Sequence, residues 1–229
     1  MKKLPVKPLP KVMHNALSAP ALLNQVRKDF EKIPDPRRYG QQFSLVDVLM
    51  SGLAVFNLKF PSLLKFDEQR TETRIRANLQ SLFGVKQAPC DTQLRAVCDQ
   101  VDPIKIRAPF IHINQRLYDH GLLEDFRYLG GFLFSIDGTG QFASSSIHCP
   151  QCCQRHHRNG ETGYYHQLLA AVIVHPDRQQ VLPVFPEAIT HQDGESKNDC
   201  ELNASKRLVK QLREAFPNWP IRVVEDSLF

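Results

Sequence analysis

No stretch of this chain approaches the roughly 18 consecutive apolar residues that a membrane-spanning helix needs. The Lys- and Pro-rich start, MKKLPVKPLPKV, also lacks the apolar segment of a secretion signal. The sequence therefore predicts a cytoplasmic protein with no membrane partner. In such a reducing compartment the six cysteines are expected to be thiols or metal ligands rather than a disulfide framework.

Acidic residues are outnumbered, with 24 Asp and Glu against 29 Lys and Arg, and the formal net charge is +5. The basic excess is concentrated in the amino-terminal half of the chain. A basic half suits a polyanionic partner such as DNA. A solvated, mildly basic surface explains the same charge without any partner.

The amino-terminal part has proline-rich and then helical patterns. Residues 1–20 predict an extended or disordered arm, because they combine four prolines with little periodicity. Residues 21–128 predict a helical region in which Ser44 and Asp47 match a capping box. Further helices are predicted over residues 68–83, closed by Gly84, and over residues 91–101 and 104–121.

The pattern changes after residue 129 to short apolar runs that are typical of strands. The predicted strands cover residues 132–136, 167–174 and 180–185, with a turn at residues 175–177. An amphipathic helix over residues 199–216 and a strand over 221–224 follow. A strand reached through a helical crossover is normally parallel to its neighbour. Asp137 and Asp226 would then leave their strands at the same end of the sheet, if those strands are adjacent.

Two carboxylates at adjacent strand ends suit Mg²⁺ or Mn²⁺, which prefer oxygen ligands. With a third carboxylate they can hold two ions that activate a nucleophile and stabilise the leaving oxygen at a phosphodiester. The alternative for Asp137 is structural, since Asp-Gly-Thr-Gly is also good turn chemistry.

Several runs of this sequence resemble bacterial insertion-sequence transposases of the DDE class, whose catalytic domain is ribonuclease-H-like. The runs are SIDGTGQFASSSIHCPQC, NGETGYYHQLLAAVIVHPDRQQVLPVFPEAITHQDGESKNDCELNASKR and VVEDSLF. The runs SLVDVLMSGLAVFNLKFPSLLKFDEQR and CDTQLRAVCDQVDP resemble the helical region that precedes that domain. The resemblance implies a ribonuclease-H-like mixed-sheet domain over residues 129–229, following a helical region.

The same resemblance implies DNA transposition by metal-dependent strand cleavage and transfer. Asp137 and Asp226 match the first and second catalytic carboxylates and would bind Mg²⁺ or Mn²⁺. The partners would be double-stranded DNA at the element ends and target, and further copies of the chain in an active homo-oligomer. The protein would associate with the nucleoid.

The third carboxylate of the family is a glutamate well beyond the second aspartate, and the sequence ends at Phe229 without one. We therefore expect a truncated transposase with an incomplete catalytic domain. Glu187 and Glu201 are the upstream glutamates that could substitute. The alternative function is that of an inactive DNA-binding remnant, or an inhibitor of the full-length enzyme.

A cluster of cysteines and histidines follows the first predicted strand. Cys149 and Cys152 have the spacing with which two thiolates hold one side of a tetrahedral Zn²⁺ ion, and His156 or His157 could complete a structural site. No second C-x-x-C run exists in the chain. Reduced thiols without a metal are therefore the open alternative.

Candidate DNA contacts lie on two predicted helices. Gln93 and Arg95 could reach phosphates or base edges if the helix over residues 91–101 is a recognition helix, although its apolar positions equally indicate ordinary packing. Four basic residues at the predicted helix over residues 199–216 would either neutralise DNA phosphates or form a solvated helix face. They are Lys197, Lys206, Arg207 and Lys210.

Overall fold

The computed structural model describes residues 15–38, 41–190 and 197–225, with side chains from residue 200 onward in the last range. The chain divides into two compact units, Met1–Ile113 and Asn114–Phe229. The first 14 residues of the predicted arm lie outside the described part. A mixed α and β architecture results, with helices in the first unit and a sheet in the second.

The first unit is helical, as the periodicity predicts. Ser44 caps the second helix, and its Oγ accepts a hydrogen bond from the backbone N–H of Asp47 at 3.1 Å. The last helix continues into the second unit. The helices are α1 (Ala19–Phe30), α2 (Leu45–Asn57), α3 (Leu63–Gln69), α4 (Thr73–Phe83), α5 (Asp91–Cys98) and α6 (Ala108–Asp119).

The prediction of a single helix over residues 68–83 is wrong. Two helices, α3 and α4, occupy this part of the chain, and Glu72 between them has an extended backbone with φ −58° and ψ 139°. The break lets Phe66 of α3 and Leu79 of α4 both enter the core, where they are 0% and 1% exposed. The predicted end is confirmed, because Gly84 closes α4 in the left-handed region at φ 66°.

The second unit contains a six-stranded sheet in the described residues. β2 pairs with β4 along one edge and with β6, in parallel, at residues 132–135. β4 pairs with β3 and β5 at successive positions along its other edge. The strands are β1 (Arg127–Tyr128), β2 (Gly131–Ser144), β3 (Cys153–His156), β4 (Thr162–Val174), β5 (Leu182–Ile189) and β6 (Ile221–Val224).

The predicted order of three strands, a helix and a further strand is present, with β1 and β3 added to it. Helix α7 (Lys197–Ala215) connects β5 to β6. β6 is adjacent to β2, which is the condition of the prediction, and the two strands are parallel. The predicted turn at residues 175–177 is also confirmed, where Arg178 N–H donates to the His175 carbonyl at 3.1 Å.

One face of the sheet packs against α7. Its apolar stripe is fully buried at Ala204, Leu208 and Leu212, as the helical spacing predicts. The segment after α7 adds Trp219, which is 3% exposed and stacks on Phe216 with ring centroids 4.2 Å apart. This packing covers one face of β2, where Trp219 contacts Phe132 and Phe134. Among the described residues no helix is long and apolar enough to cross a lipid bilayer.

Candidate functional site

Asp137 does not end a strand, contrary to the prediction. β2 continues to Ser144, and Asp137 lies within it opposite Ala170 of β4. The turn interpretation of Asp-Gly-Thr-Gly is wrong for the same reason, because all four residues pair with β4. The pairing with the 13-residue strand β4 outweighs the local turn preference of the two glycines.

The Asp137 carboxylate is available for a ligand. Asp137 is exposed, and among the described residues its side chain has no hydrogen-bond or ion-pair partner. Its neighbours Ile136 and Gly138 face α7: Ile136 is 2% exposed, and a Cβ on Gly138 would lie 3.0 Å from Glu201 Oε1. Since successive strand side chains point to opposite faces, Asp137 projects from the face that α7 does not cover.

Asp226 lies outside the described residues. The parallel register of β2 and β6 is described up to the pair Ser135 and Val224. In the sequence, Asp137 and Asp226 each follow that pair by two residues.

The two upstream glutamates are committed to other contacts. Glu187 on β5 is 6% exposed and accepts a hydrogen bond from Arg207 Nε at 2.9 Å. Glu201 on α7 is 9% exposed and accepts a hydrogen bond from Gln167 Nε2 at 3.0 Å. Glu201 also lies on the α7 side of the sheet. Neither contact brings a third carboxylate to the side chain of Asp137.

A β-bulge sets which later side chains share the face of Asp137. Gly140 pairs with Gln167, but the next pair is Phe142 and His166, so β2 has one extra residue, Gln141. His166 is four residues from Ala170 along β4, so it lies on the same face as Asp137, roughly 13 Å along the strand.

A metal-ligand cluster lies on this face. Cys149, Cys152 and His166 bring two thiols and one imidazole nitrogen within 4.8 Å of one another. The distance from His166 Nε2 is 3.3 Å to Cys149 Sγ and 3.2 Å to Cys152 Sγ. Within the described part of the chain, these three residues are the one group of at least three His, Cys, Asp or Glu side chains that could hold a metal ion.

The predicted histidine ligands are wrong. His156 Nδ1 lies 3.1 Å from Thr162 Oγ1, and His157 Nε2 would lie 3.0 Å from a Cβ at Gly163. The reason is β3, which the sequence pattern did not indicate. An extended strand after Cys153 carries His156 and His157 away from Cys152 by roughly 3.3 Å per residue. His166 replaces them because β4 returns beside β3.

Gln93 and Arg95 are exposed on α5, while Leu94 and Val97 are buried. Gln93 Oε1 accepts a hydrogen bond from the Cys90 thiol at 3.3 Å, and Arg95 forms an ion pair with Asp91 at 3.0 Å. The predicted length of this helix is too great, since α5 ends at Cys98. These positions suit both the DNA-contact and the packing interpretations.

The basic residues of α7 differ in their surroundings. Lys206 is exposed near Asn203, and Lys210 is 78% exposed near Glu214. Arg207 instead contacts buried Glu187, and its Nη2 donates to the Ala188 carbonyl at 3.1 Å. Arg207 therefore has a structural contact that the sequence pattern did not reveal. The side chain of Lys197 lies outside the described part.

Comparison with known protein families, curated proteins and solved structures gives no match to this chain. Functional assignment therefore rests on the geometry of Asp137 and of the Cys149, Cys152 and His166 cluster.

Proposed function

We propose that this chain acts as a DDE-class transposase, whose ribonuclease-H-like domain cleaves and transfers DNA strands with Mg²⁺ or Mn²⁺. The parallel pairing of β2 with β6 is the observation that carries this proposal. It brings together the two strands whose sequences continue to Asp137 and Asp226. Three antiparallel strands, β2, β4 and β5, followed by the α7 crossover to β6, fit the same fold class.

The surroundings of Asp137 support a role in ion binding. An exposed carboxylate that has no protein partner in the described residues is free to coordinate a hard cation through its oxygens. In this proposal Asp137 and Asp226 hold the ion, which activates the attacking oxygen and stabilises the leaving oxygen of the phosphodiester.

Double-stranded DNA is the proposed partner, in an oligomer of this chain associated with the nucleoid of the cytoplasm. Exposed Gln93, Arg95, Lys206 and Lys210 would contact its phosphates, together with Lys197. Arg207 is a weaker candidate for this role, because its guanidinium already contacts Glu187. A Zn²⁺ ion is proposed at a separate site, the cluster of Cys149, Cys152 and His166, since thiolate and imidazole ligands suit Zn²⁺ better than Mg²⁺.

A second candidate function is DNA binding without cleavage, as an inactive remnant or an inhibitor of a complete transposase. The contacts of Glu187 and Glu201 favour it. Both glutamates are buried and hydrogen-bonded to other side chains. These contacts hold both glutamates away from the role of a third carboxylate, which a two-ion site uses to stabilise the transition-state charge.

Nicking of a supercoiled plasmid in Mn²⁺ tests the first function. We expect the unaltered chain to nick, and Asp137→Asn and Asp226→Asn each to slow nicking by at least about 100-fold. Asp177→Asn is the matched control, because Asp177 is an exposed aspartate in the turn after β4.

Gel shift in the same samples separates the alternatives. Plasmid binding without nicking would favour the inhibitor function over the enzyme. Nicking that persists in Asp137→Asn, or the absence of both binding and nicking, would overturn the assignment of this site to DNA cleavage.

A further inference from the structure

We infer that Cys149, Cys152 and His166 bind one Zn²⁺ ion. The ion would link the β2–β3 connection, which carries both cysteines, to strand β4, which carries His166. We call these three residues the zinc clip. The inference goes beyond DNA cleavage, because it depends on the positions of the three ligand atoms and not on Asp137.

The ligand atoms have the spacing of a tetrahedral zinc site. Zn–S bonds of about 2.3 Å and Zn–N bonds of about 2.0 Å place two sulfurs about 3.8 Å apart, and each sulfur about 3.5 Å from the nitrogen. The two sulfurs of Cys149 and Cys152 are 3.8 Å apart. His166 Nε2 is 3.3 and 3.2 Å from them, so an ion needs side-chain shifts of only a few tenths of an ångström.

The backbone already shapes the Cys149 to Cys152 turn for this role. Cys152 N–H donates to the Cys149 carbonyl at 3.1 Å, with Pro150 at the second position of the turn, where its fixed φ is favourable. Cys149 N–H donates to Cys152 Sγ at 3.3 Å, and Gln151 N–H to Cys149 Sγ at 3.4 Å. These N–H groups would stabilise thiolate charge, as charge-assisted hydrogen bonds do.

The strand register explains why His166 is the third ligand. Cys153 pairs with Tyr165 in the antiparallel β3–β4 ladder. The residue before Cys153 and the residue after Tyr165 are Cys152 and His166, so the ladder places them beside each other. The register of β3 and β4 thus brings together ligands that are 14 residues apart in the sequence.

The chemistry of the ligands selects the ion. Two thiols and an imidazole are soft or borderline donors, which favour Zn²⁺ over Mg²⁺ and Mn²⁺. Three protein ligands leave one tetrahedral position for water or another donor. Because Cys149 is exposed and lies in a connection of eight residues between β2 and β3, the ion would order this connection on the sheet face of Asp137.

Metal content and cobalt spectroscopy test the inference. The full chain, purified under reducing conditions, should hold about one zinc per chain by mass spectrometry. Co²⁺ in place of zinc should give thiolate charge-transfer and tetrahedral d–d absorption bands. Cys149→Ser, Cys152→Ser and His166→Asn should each weaken Co²⁺ binding at least about 100-fold, since loss of outer-shell groups alone costs 10–100-fold.

The chain offers matched controls for each ligand. Cys153→Ser removes a buried neighbouring thiol, whose Sγ lies 3.7 Å from the Ile189 carbonyl. His156→Asn and His157→Asn remove the histidines that spacing alone predicts. All three control variants should retain zinc. His166→Cys keeps a soft donor and should retain it as well, which separates ligation from a folding defect.

Absence of zinc in the folded chain, or loss of zinc in His156→Asn or His157→Asn but not in His166→Asn, would overturn the inference. Fluorescence of Trp219, the single tryptophan, establishes that each variant is folded. Asp137→Asn should retain zinc in full. Failure of DNA cleavage therefore leaves this test unaffected, and failure of zinc binding leaves the nicking assay interpretable.

Discussion

Phe142 lies opposite His166 across β2 and β4, although Gly140 lies opposite Gln167. The extra residue, Gln141, reverses the alternation of side chains along β2. Phe142 therefore lies on the face of Asp137, whereas strict alternation from Asp137 would place it on the α7 face. The bulge therefore places Phe142 on the surface that carries Asp137 and His166 of the zinc clip.

The close approach of β2 to the segment before β6 requires a glycine at position 131. A Cβ at Gly131 would lie 2.6 Å from the Pro220 carbonyl oxygen, which also accepts the Phe132 N–H at 2.8 Å. We expect Gly131→Ala to lower the free energy of unfolding by about 2–3 kcal/mol, because backbone atoms must shift. Urea unfolding followed by Trp219 fluorescence measures this loss.

Gly140→Ala is the control in the same strand, since no atom lies within 4 Å of a Cβ there. Its effect should stay within about 0.5 kcal/mol. Equal effects of the two substitutions would contradict the steric argument.

Asp47 connects three parts of the first unit. Its carboxylate accepts hydrogen bonds from Arg27 Nη1 and Nη2 and from Lys86 N–H, each at 3.2 Å, and Asp47 is 5% exposed. We expect Asp47→Ala to lower the free energy of unfolding by about 2–3 kcal/mol, because charged hydrogen bonds and a buried N–H lose their acceptor. Urea unfolding followed by circular dichroism detects it.

The comparison for Asp47 is Asp91→Ala on α5. Asp91 pairs with Arg95, whose side chain is 58% exposed, and exposed pairs contribute about 0–1 kcal/mol. The expected loss is therefore smaller than for Asp47. A similar loss at both positions would show that the buried contacts of Asp47 carry no special stabilisation.

Arg207 should matter for stability more than for DNA affinity. Its guanidinium contacts Glu187, whose side chain is only 8% exposed. Arg207→Gln removes the ion pair with this buried carboxylate, and we expect a loss of about 2 kcal/mol in unfolding free energy. Lys210→Gln, at a side chain 78% exposed, should change stability by less than about 0.5 kcal/mol.

The salt dependence of plasmid binding, measured for Arg207→Gln and Lys210→Gln, tests which of the two side chains contacts DNA phosphate. If Lys210 touches a phosphate, Lys210→Gln should reduce the logarithmic salt slope by about 1, and Arg207→Gln should leave it unchanged. The reverse result would assign the phosphate contact to Arg207.

Two cysteines of the first unit should differ in reactivity. The Thr92 hydroxyl, by hydrogen-bonding to the sulfur, holds the pKa of Cys90 below its ordinary value, whereas burial raises the pKa of Cys98. Cys90 therefore holds more thiolate than Cys98 at any pH below the pKa of Cys98. Peptide mass mapping after brief iodoacetamide treatment at neutral pH should find Cys90 alkylated faster, and the rates should converge at high pH.

Replacement of Thr92 by valine removes the hydroxyl and should slow alkylation of Cys90 at neutral pH. Unchanged or faster alkylation in Thr92→Val would show that exposure, and not the hydrogen bond, sets the reactivity of Cys90.

Local sequence signals predicted the elements whose residues carry strong local preferences. Ser44 caps the start of α2, Gly84 caps the end of α4, and the spacing of Ala204, Leu208 and Leu212 predicts the buried stripe of α7. Capping, left-handed glycine and helical amphipathicity act within a few residues, so the sequence alone contains them. The helical crossover also predicts that β6 is parallel to β2 if the two strands are adjacent, but the sequence does not show their adjacency.

The sequence by itself determined the helical first part, the order of β2, β4, β5, α7 and β6 in the second part, and the presence of cysteines at metal-ligand spacing. Only the tertiary structure decided that Asp137 lies within a long strand, that Glu187 and Glu201 are bound elsewhere, and that His166 joins Cys149 and Cys152. The physical reason is that these features depend on pairing between β2, β3 and β4. Register and bulges between strands depend on hydrogen bonds between distant residues, which local preferences do not fix.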